Sequence, residues 1–144
     1  MEIKTLVGID KKDILKVFNE SFSDYFIPFQ LSQEQLNLKM LADKTELNLS
    51  VGVFENENLI AFIFHGFDKI DNEKIIYNGG TGVIPEKRGS GLTKQMYQFI
   101  LPILKENGIN CVVEPANIDE DLVKDSLLKE GALPTIVSKN LAEL

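Results

Sequence analysis

The sequence predicts an α/β (α+β) fold, a mixed β-sheet with helices on both faces. Three observations lead there. Two strand-like runs, 47–54 and 59–67, flank the polar turn Glu55-Asn56-Glu57-Asn58, which reads as an antiparallel hairpin. The second run, LIAFIFHGF, is almost continuously apolar, as expected of a strand covered on both sides. A third strand, 74–84, passes through a glycine-rich turn into a regular helical stripe and then into the apolar segment 109–113. Such a strand–helix–strand unit lays its two strands parallel.

Taken in order, residues 2–7 alternate weakly and form a first strand. Asp10 suits an N-cap, with Asp13 three residues on and Ile9 and Ile14 at the staple positions. Ile14, Val17 and Phe18 make the apolar stripe of a helix ending near Phe22. The segment 22–31 is rich in aromatics, and Pro28 opposes helical continuation. Ser32 and Gln35 form a capping box, and Leu31 and Leu36 a staple, for a second helix that carries Met40 and Leu41. After the hairpin, Gly79, Gly80 and Gly82 within 74–84 indicate a bulge or a close backbone approach. Pro85 ends that strand. Leu92, Met96, Phe99, Ile100, Ile103 and Leu104 then follow helical spacing up to Gly108, a C′ residue. Pro102 inside this helix is expected to kink it or loosen a turn, at about 3 kcal/mol if nothing accommodates it. Residues 109–113 are a buried strand in which Cys111 acts as a small hydrophobe. Asn117 and Glu120 open a last helix, Gly131 closes it, and 135–138 supply a final strand. The order is βααβββαβαβ.

A chain of 144 residues with 44% hydrophobic and 26% charged residues fits one globular domain spanning 1–144. No apolar run approaches the roughly 20 residues needed to cross a bilayer, and MEIKTLVGID lacks the pattern of a secretory signal. The single cysteine excludes an internal disulfide, so a cytoplasmic protein is expected. His65 is the only histidine, which argues against a Cys/His metal site; no metal is expected. A net charge of −7 is the wrong sign for nucleic acid or an anionic membrane. Against that background Lys87, Arg88 and Lys94 make a local basic spot suited to a small anion.

The chemistry concentrates in 81–94, TGVIPEKRGSGLTK, where a strand ends, glycines turn and a helix begins. The first amides of a helix have no internal partners and point outward at the positive end of its dipole, ready for a phosphate. Gly89 and Gly91 let backbone approach a ligand, Arg88 and Lys87 add charge, and Ser90 and Thr93 add hydroxyls. The pattern GxxxxGK[ST] is absent, and Lys94 stands where GxGxxG requires its third glycine.

This segment resembles the acetyl-CoA-binding motif of the GNAT N-acetyltransferase superfamily, Arg/Gln-x-x-Gly-x-Gly/Ala preceded by Val-x-Pro. Here Val83-Ile84-Pro85 precedes Arg88-x-x-Gly91-x-Thr93, with Thr93 in place of the small residue. The element order agrees with that fold over nearly the whole chain. The resemblance implies acetyl-CoA as co-substrate. Backbone at Thr81, Val83 and Ile84 would pair with the pantetheine arm. Amides of Arg88, Gly89, Ser90, Gly91, Leu92 and Thr93 would hold the pyrophosphate, and Asn117 would contact the cofactor. It further implies that two core strands splay, that the thioester sits in the gap, and that an amine attacks directly.

Three roles then need residues. A backbone N–H near the Gly79–Val83 bulge would stabilise the oxyanion. The base is Glu114, at a strand end, or His65, on an apolar strand, or a water chain to bulk. The family's acid is a tyrosine in Tyr-x-x-x-Gly-Phe; here Gly131 fits, but Leu127 and Ala132 replace the aromatics, leaving Tyr77 as the candidate acid. Tyr25, Phe26 and Phe29 would wall the acceptor. The expected partner is a small-molecule or peptide amine, with a homodimer through edge strands left open. A non-catalytic acyl-CoA-binding domain is the competing expectation.

Overall fold

The computed structural model describes residues 1–24, 30–109, 111–114 and 135–138. In chain order these form β1 (Glu2–Thr5), α1 (Lys11–Ser21), α2 (Gln33–Ala42), β2 (Val51–Glu55), β3 (Asn58–Ile70), β4 (Glu73–Val83), α3 (Leu92–Glu106), β5 (Cys111–Glu114) and β6 (Thr135–Ser138). The described strands form one sheet in sequence order, β1 to β6. β1 to β4 pair antiparallel, whereas β4–β5 and β5–β6 are parallel. The expected last helix, with Asn117, Leu127, Gly131 and Ala132, lies outside the described residues.

Local signals explain most boundaries. Asp10 caps α1 by accepting from the Lys12 N–H. The Ser32–Gln35 box closes in both directions at α2. Both hairpins turn on two residues with positive φ, Asn56 and Glu57 at 51° and 70°, Asp71 and Asn72 at 51° and 66°. These are type I′ turns, whose twist matches the flanking strands. At the end of α3, Gly108 (φ 74°) donates to the Lys105 carbonyl and Ile109 to that of Leu104, a complete Schellman motif.

One expectation needs correction. Leu47–Leu49 is a 3-10 turn and the strand starts at Val51. The Leu-Asn-Leu alternation suits either, and the Ser50 hydroxyl draws the chain into a turn by donating to the Glu46 carbonyl. Pro102 lies half-buried inside α3, which is helical throughout Leu92–Glu106.

The alternation of β3 divides the interior. Phe62 and Phe64 face α1 and α2, where they meet Ile14, Val17, Phe18 and Leu36; their two ring centroids lie 4.4 Å apart. Ala61 and Ile63 face α3, against Met96, Ile100 and Leu104. Apolar contact on both sides is why the run 59–67 shows no period of two.

Candidate active site

The site is built where β4 leaves β5. Among the described residues the two strands are paired at Ile75–Tyr77 against Cys111–Val113. Beyond Tyr77, β4 runs on to Val83 without β5 beside it. On its other edge β4 stays paired with β3, except that Phe64 faces Gly80 and His65 faces Asn78, leaving Gly79 as an extra residue. This is the bulge that the glycines signalled, and it lies where the strands part.

The bulge sets which backbone groups face the open edge. Ile84 donates to the Ile60 carbonyl across β3 at 3.0 Å. By strand alternation, the amides and carbonyls of Thr81 and Val83 point the other way, toward the edge that β5 has vacated. Arg88 Nε reaches the Val83 carbonyl there at 3.2 Å. Ile84 itself differs from expectation. Its amide is spent on Ile60 and its carbonyl accepts from Lys87, so its backbone is closed within the protein.

The open edge leads to the start of α3. Gly89 and Gly91 have φ of 79° and 76°, conformations that a side chain disfavours, and a Cβ at either would meet no atom within 4 Å. Gly91 caps α3 without a side-chain hydrogen bond, so the amides of Leu92, Thr93 and Lys94 remain available. The Leu92 side chain is buried in the α3 core, leaving only its backbone for a ligand. The Ser90 hydroxyl donates to the Lys87 carbonyl and braces the turn.

The basic spot is smaller than the sequence suggests. Lys87 pairs with Glu55 at 2.8 Å. Arg88 pairs with Asp24 and also donates to the Ser21 carbonyl. Its hydrogen bond holds the Asp24 carboxyl below the usual range. Among the described residues Lys94 forms no ion pair. Arg88 therefore ties the end of α1 to the end of β4, a role that its position in the motif alone does not reveal.

Beneath the bulge lies a residue that sequence reading missed. Asn78 is 3% exposed. Its Oδ1 accepts from the Gly80 N–H at 2.8 Å, and its Nδ2 donates to Thr81 Oγ1 at 2.6 Å and to the Tyr97 hydroxyl at 3.2 Å. The available signal was an amide on the inward face of a strand, directly before two glycines. The Gly80 N–H is thereby occupied, so an oxyanion donor must come from another amide of the bulge.

Tyr77 lies on the α2 side of the bulge, packed against Gly66, where a Cβ would fall 2.4 Å from its ring and 2.1 Å from the Asp43 carbonyl. Burial raises its phenol above the ordinary value. On the same side Lys39 Nζ bonds the Gly79 carbonyl at 2.8 Å and pairs with Asp43. His65 sits apart, on the α3 side, fully buried. Its Nδ1–H donates to the Leu49 carbonyl at 2.7 Å, and its Nε2 has no partner among the described residues. Desolvation lowers its pKa to about 4. The structure thus places His65 among packed side chains, away from the Tyr77 face. Tyr25, Phe26, Phe29, Asn117 and the Glu114 side chain lie outside the described residues; the β5 backbone ends at Glu114, beside the gap.

Among the described residues no helix is long and apolar enough to cross a membrane, and no group of three or more His, Cys, Asp or Glu is placed to hold a metal ion. Residues 13–120 match the acetyltransferase (GNAT) family. A GNAT family acetyltransferase from Brucella melitensis, solved with acetyl-CoA, superposes over 99% of this chain and 97% of its own with a TM-score of 0.66 at 16% identity. Glucosamine-6-phosphate N-acetyltransferase from Arabidopsis thaliana superposes over 97% of each chain with a TM-score of 0.62 at 16% identity. At such identities the likeness concerns the fold. A 42-residue stretch, 29% of this chain, is 69% identical to part of the nucleoside triphosphate pyrophosphatase of Pelagibacter ubique; the chain spans only 22% of that protein. A stretch that short is less than a domain core.

Proposed function

Because the chain belongs to the acetyltransferase (GNAT) family, we propose that its 144 residues form one N-acetyltransferase domain that moves the acetyl group of acetyl-CoA to a primary amine of a small molecule or peptide. The observation that carries this reading is the open edge of β4, with Thr81 and Val83 facing it, leading directly to the glycine turn and the free amides of α3.

Acetyl-CoA is a substrate here, and the residues present suit it. Thr81 and Val83 would pair with the amides of its pantetheine arm as an added strand does. The turn Arg88–Gly91 and the amides of Leu92 and Thr93 would take the pyrophosphate, favoured by the helix dipole. Arg88 would hold the turn in place through Asp24 and Ser21, and Lys94, without an ion pair among the described residues, would supply positive charge. Asn117 remains a candidate contact.

For proton transfer, Tyr77 would act as the acid. Its phenol is protonated at neutral pH even at the ordinary value, and burial raises it further, so it can donate a proton to a departing thiolate. Of the two bases read from the sequence, Glu114 at the end of β5 is preferred, with water as its alternative. His65 is assigned to packing, because a ring buried on the α3 side with Nδ1 spent on Leu49 does not meet a substrate amine. Tyr25, Phe26 and Phe29 are proposed to wall the acceptor.

A second reading, a non-catalytic acyl-CoA-binding domain, is favoured by Leu127 where the family's tyrosine would stand. One experiment separates the two. CoA is expected to raise the melting temperature, and acetyl-CoA with a panel of primary amines is expected to release thiol. Stabilisation without turnover of any amine identifies the binding module; absence of both removes the acetyl-CoA reading.

A further inference from the structure

One amine of the chain already stands at the bulge. Lys39, on α2, is 40 residues from Gly79 in sequence, yet its Nζ donates to the Gly79 carbonyl at 2.8 Å and to Asp43 Oδ2 at 2.5 Å. Lysine normally extends its ammonium into water. Here the side chain is 30% exposed, the lowest of the described lysines in ion pairs, the others running from 34% to 69%. The two acceptors use two of its three N–H groups. Gly79 is the extra residue of the bulge, next to the point where β4 parts from β5. Lys39 approaches it from the face that also carries Tyr77 and Asp43.

We propose that Lys39 is an internal acceptor, acetylated at Nζ by its own chain when that chain holds an acyl thioester of coenzyme A. The proposal rests on the acetyl-CoA reading above. In the step, Nζ loses one proton to solvent, and its lone pair attacks the thioester carbon. The N–C bond forms and the C–S bond breaks. The second proton from nitrogen goes to the departing thiolate, so Lys–NH3+ and acetyl–S–CoA give Lys–NH–CO–CH3, HS–CoA and one H+. The amide product carries no charge, so the ion pair with Asp43 is lost and its carboxylate becomes available to the ammonium of an external amine. Holding nucleophile and bulge together makes the step intramolecular, and its rate is then independent of protein concentration.

The test is peptide mapping by mass spectrometry after incubating the full chain with isotopically labelled acetyl-CoA. Label is expected at Lys39 at least about tenfold above the exposed Lys11 and Lys105, which report uncatalysed transfer. That preference should vanish on heat denaturation and be unchanged on tenfold dilution of the protein. Lys39→Arg keeps a cation beside Asp43 and should lose the dominant label. Labelling of Lys39 no greater than of Lys11 and Lys105, or a rate that scales with protein concentration, overturns the proposal. If CoA stabilises the protein and external amines are acetylated while Lys39 stays unlabelled, the internal acceptor is refuted and the acetyl-CoA reading stands. If CoA does not stabilise the protein and labelled acetyl-CoA leaves no label on Lys39 or on external amines, both fall.

Discussion

His65 and Asn78 are buried polar residues with opposite fates, and each makes a measurable prediction. The unfolded imidazole takes up a proton near pH 6.5, whereas burial lowers the folded value to about 4. The unfolded state therefore binds more protons in this window. Stability is complete above pH 6.5 and falls as the pH drops toward 4, by about 3 kcal/mol at most. Denaturation midpoints measured across pH 4–7 should show that slope, and His65→Asn, with no titrating ring, should flatten it; an equal slope in the variant refutes the assignment. Asn78 is fully engaged, so its removal orphans the Gly80 N–H and leaves Thr81 and Tyr97 without their donor. Asn78→Ala should cost about 1–3 kcal/mol. Turnover should fall further than that loss explains, while CoA still stabilises the variant, since the amides of α3 are untouched. A variant that keeps wild-type turnover would show that the amide does not hold the bulge in working shape.

At the level of elements, β4 and α3 are read differently from sequence. The end of α3 was legible in Gly108, because a Schellman motif is a local arrangement of hydrogen bonds. Its start was legible in Gly89 and Gly91, because only glycine takes φ near 79° and 76° without strain. Gly91→Ala should destabilise by about 1–2 kcal/mol through that left-handed conformation. It should also reduce the rise in melting temperature that CoA produces, because the added methyl enters open space before the α3 amides. A variant with the strain but with undiminished CoA stabilisation would move the phosphate site elsewhere. In β4 the glycines announced a bulge, but not which residue is extra. That depends on register against β3, where Gly79 drops out of pairing. Residues 47–49 misled for a related reason: three residues cannot distinguish a turn from a strand end until the Ser50–Glu46 bond is known.

Across the whole molecule, one strand serves two cores. Phe62 packs under α1 and α2, and Ile63, its neighbour in sequence, packs under α3, both with no exposed surface. Neither core can loosen without disturbing β3, so the described sheet should unfold as one unit. Phe62→Ala should cost about 3–5 kcal/mol and Ile63→Ala about 2–5 kcal/mol. Each should lower a single calorimetric transition rather than split it. Two separate transitions in either variant would mean that the faces fold independently. The same layering gives the site two sides. The Asn78–Tyr97 network lies on the α3 side, while Tyr77, Lys39 and Asp43 lie on the α2 side of the bulge.

By itself the sequence determined what depends on neighbours along the chain: caps, staples, turns, the glycine-rich junction before α3 and the resemblance carried by Val83–Thr93. These rest on hydrogen bonds and backbone preferences spanning a few residues, so the signal and the structure occupy the same short segment. The tertiary structure alone decided which groups meet. Arg88 turned out to be tied to Asp24, Lys39 to Gly79 and Asn78 to Tyr97, across separations of 64, 40 and 19 residues. His65 likewise reads the same in sequence whether it faces solvent or a core. Such contacts follow from strand register and from the packing of helices on the sheet, which the whole chain settles at once.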